Sequence, residues 1–189
     1  MNGIEIGHGA DLVLLGLRLT LGAMIFLHGY NHLWGSGGVA GTARWFASLG
    51  FRPAKVHALM SGLVELSVGV AYAAGLLTAV ASAALVGTML VAGWAAHRPN
   101  GFFIFRDGYE YVLVVAVAAI ALATFGPGTW SLDSAFGIVD YAPGPGGGNG
   151  LLGGDGALIA ALGGLVGGAG LLITGWRPGS LPKKDGGQQ

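Results

Sequence analysis

The sequence predicts an all-α fold, a polytopic membrane helical bundle. Three observations carry that expectation. The 189 residues are 53% hydrophobic and only 10% charged, with mean hydropathy +0.67, whereas soluble domains carry about 25% charged residues. The apolar residues fall into five runs at or near the ~20 residues that cross a bilayer. Glycine is abundant, at 38 residues, as in membrane helices whose backbones approach closely.

The first run covers 11–34. The second starts at Pro53 or Lys55 and reaches Ala74. The third covers 76–97, after a tight turn at Gly75. The fourth covers 108–125 and stops at Gly126-Pro127. The fifth covers 156–176 and stops before Pro178. Backbone groups in lipid must be satisfied within the segment, so each run reads as a helix. Between the first two, GTARWFASLG (41–50) is too short to span. Its Trp45, Phe46 and Leu49 lie near one face with Arg44 among them, as in a short interfacial helix. The stretch PGPGGGNG within 134–155 reads as a flexible loop, and the tail 177–189, ending PKKDGGQQ, as mobile. No basic residue precedes the first run, so that run reads as a retained anchor and not a cleaved signal. The chain has no cysteine, which excludes disulfides, thiolate metal sites and cysteine catalysis. Its net charge is zero, so nothing in the balance points to nucleic acid.

Charge distribution predicts orientation. With five spans, eight of the nine Lys and Arg residues fall on one side: Arg44, Arg52, Lys55, Arg98, Arg106, Arg177, Lys183 and Lys184. The positive-inside rule makes that side cytoplasmic, with the C-terminus inside and the N-terminus outside. The ninth, Arg18, lies within the first run, free to snorkel outward or to pair inside the bundle.

The polar residues of the spans converge in depth. His28 lies roughly 9 Å above the inner end of the first helix, and Glu65 roughly 15 Å up the second, near the midplane. His32, His57 and His97 fall nearer the cytoplasmic ends, and Tyr109, Glu110 and Tyr111 open the fourth span. An ionisable group inside a span costs about 2.5–3.5 kcal/mol on insertion scales and normally faces a partner. Glu65, with no charge near it on its own helix, is the sharpest functional candidate, and Arg18 or His28 is its expected partner. His32 and His57 read as wet interfacial caps. His28 and His97 stand between structural and functional roles, and Glu110 also fits as a helix-start acid favoured by the helix dipole. Gly156, Ala160, Gly164 and Gly168 recur every fourth residue, a small-residue face suited to close packing against another membrane subunit or a second copy.

Five stretches resemble the DoxX family of small bacterial membrane proteins: LRLTLGAMIFLHGYNHL, GTARWFASLGFRPA, SGLVELSVGVAYAAGLLT, HRPNGFF with the following GYEY, and GPGTWSLD. The resemblance implies a four-helix membrane core over 1–133, with the loop 134–155, the additional helix 156–176 and the tail 177–189 lying outside the usual pattern. It also implies a redox association, since relatives include a subunit of thiosulfate:quinone oxidoreductase and mycobacterial members associate with oxidative-stress proteins. The motif positions that carry over are His28, Glu65, His97, Glu110 and Tyr111.

The first functional expectation is a membrane subunit of a quinone-linked oxidoreductase or of a respiratory or oxidative-stress complex. Glu65 and Glu110 would act as proton acceptors, His28, His97 and Tyr111 would bind the quinone, and Phe102 or Phe103 would pack on its ring. That reading predicts an apolar cleft beside Glu65. A structural accessory subunit predicts a closed polar network without a cavity. A metal or haem site drawn from His28, His97, Glu65 and Glu110 is a further alternative, although the Glu-x-x-His pairs of di-iron bundles are absent. A transporter would show repeats or broken helices, and no repeat is evident.

Overall fold

Five apolar helices lie side by side in a computed structural model that describes residues 8–141 and 150–179. The expected flexible stretch at 142–149 and the expected mobile tail beyond 179 lie outside the described residues. Four helices are long and apolar enough to cross a membrane: α1 (His8–Trp34), α3 (Ala54–Ala74), α4 (Thr78–Asn100) and α7 (Gly153–Gly175). The fifth, α5 (Glu110–Phe125), is apolar but has 16 residues. Two short helices complete the chain, α2 (Gly38–Leu49) and α6 (Leu132–Ala135). Among the described residues there is no strand, only two isolated bridges, Phe51 with Trp176 and Val139 with Gly150. Large apolar side chains point outward from the long helices; Val13, Val114, Val166 and Ile173 are 62–74% exposed. A soluble fold would bury such faces, and here lipid is the solvent that suits them. The chain is a multi-pass membrane protein.

The long helices pack through absent side chains. On α1 a Cβ at Gly29 would come within 2.7 Å of the Gly62 carbonyl and the Leu66 nitrogen of α3, and one at Gly22 within 2.9 Å of the Gly69 carbonyl. Only glycine permits the α1–α3 backbones to lie this close. The last long helix, α7, joins by the same means. A Cβ at Gly168 would meet the Gly87 carbonyl of α4 at 2.9 Å, and Gly164 sits against Val86 and Ala83. Gly156 packs on the Ala123 carbonyl of α5, and Ala160 is fully buried with Ala79 and Ala123. The expected small-residue stripe is thus occupied within the chain. Between the helices lies an apolar core that includes Leu21, Ile25, Val68, Leu85, Val115 and Leu122, tied once by a Tyr72–Ser82 hydroxyl pair at 2.9 Å.

The helix limits differ from the sequence expectation where side chains from elsewhere intervene. α4 starts at Thr78 and not at 76, because Leu77 takes a left-handed turn (φ 49). The Asp133 carboxylate holds that turn by accepting from Leu77 N at 2.6 Å and Thr78 N at 2.9 Å. α5 starts at Glu110 and not at 108, since Tyr109 N and Glu110 N donate to Gly101 and Phe102 carbonyls of the preceding loop. α2 begins at Gly38, three residues before the expected 41, and ends on Gly50 (φ 100), whose N–H reaches back to the Ala47 carbonyl.

The two ends of the bundle are fastened differently. At the basic end, Arg52 N donates to Gly175 O, Arg177 N to Gly50 O, and the Trp176 indole to Leu49 O at 2.8 Å, so α7 is stitched to the α2–α3 link. At the opposite end the GPGTWSLD loop is clamped by buried charges. Asp11 accepts from Thr129 N and Oγ1 at 2.7 and 2.6 Å. Arg18 neither snorkels outward nor meets Glu65; it is 1% exposed and donates to the carbonyls of Tyr72, Ala73 and Trp130.

Candidate functional site

Glu65 is a buried acid on α3, 5% exposed. The glycine at 29 seats it, since a Cβ there would press to 2.9 Å of the Glu65 Cβ. Its Oε1 accepts from Ser61 Oγ at 2.9 Å, one turn earlier on the same helix. Its Oε2 lies 3.6 Å from His32 Nε2 and has no hydrogen-bond partner within the protein. A buried polar atom left open costs about 1–3 kcal/mol, so its position calls for a reason.

His32 is therefore the neighbour of Glu65, in place of the expected His28 or Arg18, and it is not a wet cap. α2 folds back over it. Thr42 Oγ1 donates to the His32 carbonyl at 2.8 Å, Trp45 stacks on the imidazole at 6.1 Å, and Phe46 meets it edge-on at 5.8 Å. The sequence signal for this was present in the aromatic face of α2, but the fold-back that brings it over α1 was not.

Beside Glu65 opens a cavity of about 420 Å³ between α2, α3, α4 and α7. Its aromatic side is Trp45, Phe46 and Phe51. Its far wall is low because it is built from Ala83, Gly87, Gly164, Gly167 and Gly168. A Cβ at Gly167 would meet nothing within 4 Å, so the glycine there leaves room. The polar groups on the wall are few: His32, Glu65, Ser61, Thr88 and His57. Size and lining match the ligand pockets of proteins, about 300–1,000 Å³ and mostly apolar with a few convergent polar groups. His57, Ser61 and Glu65 recur at i, i+4 and i+8, so they share one face of α3. His57 also departs from the expected wet cap. It rests on Gly175 of α7, its Nε2 lies 3.3 Å from the Arg52 carbonyl, and its Nδ1 is buried without a partner.

The other expected residues are placed elsewhere. His28 is exposed, with its ring over Tyr111 at 6.3 Å, and the Tyr111 hydroxyl donates to the Met24 sulfur at 2.7 Å. His97 Nδ1 lies 2.7 Å from the Asp107 carbonyl, and Glu110 Oε2 accepts from Ile104 N at 3.0 Å; both hold the loop between α4 and α5. Phe102 and Phe103 are exposed on that loop and touch each other edge-on. None of these six lines the cavity. Shared depth was readable from spacing along each helix, but shared depth does not place two side chains on the same side of the bundle. Among the described residues no group of three His, Cys, Asp or Glu side chains is arranged to hold a metal ion.

The arrangement can accept a proton or a hydrogen bond at Glu65 Oε2, offer an imidazole from His32, and pack a flat apolar group against Trp45 and Phe46. The DoxX family model matches residues 13–98, from α1 into α4. No curated protein and no solved structure matches the chain.

Proposed function

Because residues 13–98 match the DoxX family model, we propose that the chain serves as a membrane subunit of a quinone-linked oxidoreductase or a respiratory or oxidative-stress complex, with the cavity beside Glu65 receiving the quinone ring. The observation that carries this reading is the pairing of an apolar, aromatic-sided cavity with an unsatisfied buried carboxylate oxygen on its wall. An accessory subunit with a closed polar network has no use for either feature.

Bound quinone supplies two-electron, two-proton chemistry, with electrons arriving from a partner protein. The chain's own residues do the rest. Glu65 holds or accepts the proton at Oε2 while Ser61 fixes Oε1. His32 presents an imidazole that can donate or accept, according to its tautomer. Trp45 and Phe46 pack on the His32 ring and hold it beside Glu65. His28, stacked with Tyr111, belongs to the neighbouring face of α1 and is assigned an outer role in positioning that helix. In the same reading the basic end faces the cytoplasm, by the positive-inside rule, and the cavity lies in the cytoplasmic half of the inner membrane.

The test is purification from the native membrane in mild detergent, followed by solvent extraction and assay for quinone. Wild type should retain quinone. Glu65→Gln and Gly167→Leu should lose it while melting within a few degrees of wild type. A wild-type protein that carries no quinone but stays attached to a larger assembly would overturn the reading in favour of an accessory subunit.

A further inference from the structure

A second cavity of about 620 Å³ lies on another face of α4, between α4, α5 and α7. Its walls are apolar, with Met89, Leu90, Val112, Ala116 and Ile120 among them, and its polar side chains, Trp94, Arg98 and Tyr109, gather at one end. From Tyr109 to Ile120 the groove runs roughly 16 Å along α5. That is about half of the ~30 Å hydrocarbon core, the depth of a single leaflet.

The polar end is shaped by a local departure from the α-helix. Residues Gly93–His97 form a π turn within α4, a feature that recurs at functional sites. Trp94 lies within it and Arg98 directly follows it, and the guanidinium lies 4.2 Å over the indole ring. No carboxylate pairs with Arg98 among the described residues. Gly93 keeps the groove open, since a Cβ there would already meet Val112 at 3.2 Å. Next to the mouth, Phe102, Phe103, Ile104 and Phe105 are all exposed, Phe105 by 75%. Four consecutive apolar side chains flanked by Arg98 and Arg106 suit the boundary between headgroups and acyl chains, which puts Arg98 at headgroup level.

We infer that this groove binds one acidic phospholipid, with an acyl chain between α4, α5 and α7 and the phosphate at Arg98. The occupant is fixed by two complementarities. The groove is as long as one leaflet is deep, so it takes a tail that enters from the bilayer. Its mouth carries a guanidinium with no carboxylate partner among the described residues, whose planar fork of donors matches a phosphate, so it selects a head with net negative charge over a zwitterionic one. Trp94 holds the guanidinium in place for that contact. Basic pockets between membrane helices recognise acidic headgroups by this chemistry. The inference does not depend on what occupies the cavity beside Glu65.

The experiment is native mass spectrometry of the full chain released from mixed micelles of phosphatidylglycerol and phosphatidylcholine. Wild type should retain a single phosphatidylglycerol in preference to phosphatidylcholine. Arg98→Gln should weaken that preference about fivefold, Arg106→Gln should leave it intact, and Ala116→Leu, which narrows the groove, should release both lipids. Equal retention of the two lipids by wild type overturns the site. So does an equal loss with Arg106→Gln, which would mean diffuse attraction to a basic surface. Arg98 and Arg106 are both exposed, so neither substitution threatens the fold.

Discussion

The two ends of this bundle bury charge in opposite ways. At the end where α1 begins, Asp11, Arg18 and Asp133 are 1–3% exposed, and each spends its oxygens or N–H groups on a neighbouring backbone or, for one Asp11 oxygen, on the Thr129 hydroxyl; Arg18 Nε alone is left over. Across the bundle Glu65 is as deeply buried, yet one of its oxygens meets only a histidine beyond hydrogen-bond distance, beside a cavity. Burial of a charge therefore says little about role. A buried charge that closes on the backbone holds the chain together. One that faces open apolar space is available to something else.

That contrast can be broken from either side. The largest expected effect is at the closed end. Asp133→Ala leaves the Leu77 and Thr78 N–H groups without acceptors at the start of α4, and at about 1–3 kcal/mol for each buried orphan it should cost roughly 3 kcal/mol in detergent thermal unfolding, with quinone content per folded molecule unchanged. Glu65→Gln should behave in reverse. The amide oxygen can still accept from Ser61 and the buried charge is removed, so stability should hold or rise by about 1 kcal/mol while the extracted ligand disappears. Gly167→Leu sharpens the same point without touching a polar group: a side chain grows into empty space, the melting temperature holds or rises slightly because glycine is a poor helix residue, and ligand content falls. At neutral pH the smallest effect is at Tyr141, outside the spans. Burial, opposed in part by a hydrogen bond from Gly128 N at 2.8 Å, raises its phenol from the ordinary 10.0 to about 12. The folded chain therefore keeps the proton where the unfolded chain loses it. Stability from this group is complete below pH 10 and is lost as pH climbs toward 12. Alkaline melts of wild type should decline more steeply in that window than those of Tyr141→Phe.

The spans were legible because each is a property of one segment. Glu65 was legible for the same reason, as a lone carboxylate in an apolar run. His32 was misread, because its position near a helix end implies water unless another element covers it, and the element that covers it is α2 folding back. His97 and Glu110 were grouped with Glu65 by depth, whereas the loop between α4 and α5 curls back and engages both. The small-residue stripe of the last helix was recognised as a packing face, but nothing in its spacing said that α4 of the same chain would fill it.

The sequence by itself determined the solvent, the number of apolar helices, the segregation of basic residues to one end and the depth of each polar group. These follow from transfer free energies and from a rise of about 1.5 Å per residue, both additive along a single helix. Only the tertiary structure decided which faces meet: that Arg18 clamps a loop, that His32 faces Glu65, and that glycines on α4 and α7 leave a cavity. Which faces meet depends on how side chains from distant segments fit around each helix axis, and that fit is a property of pairs of helices rather than of any one of them.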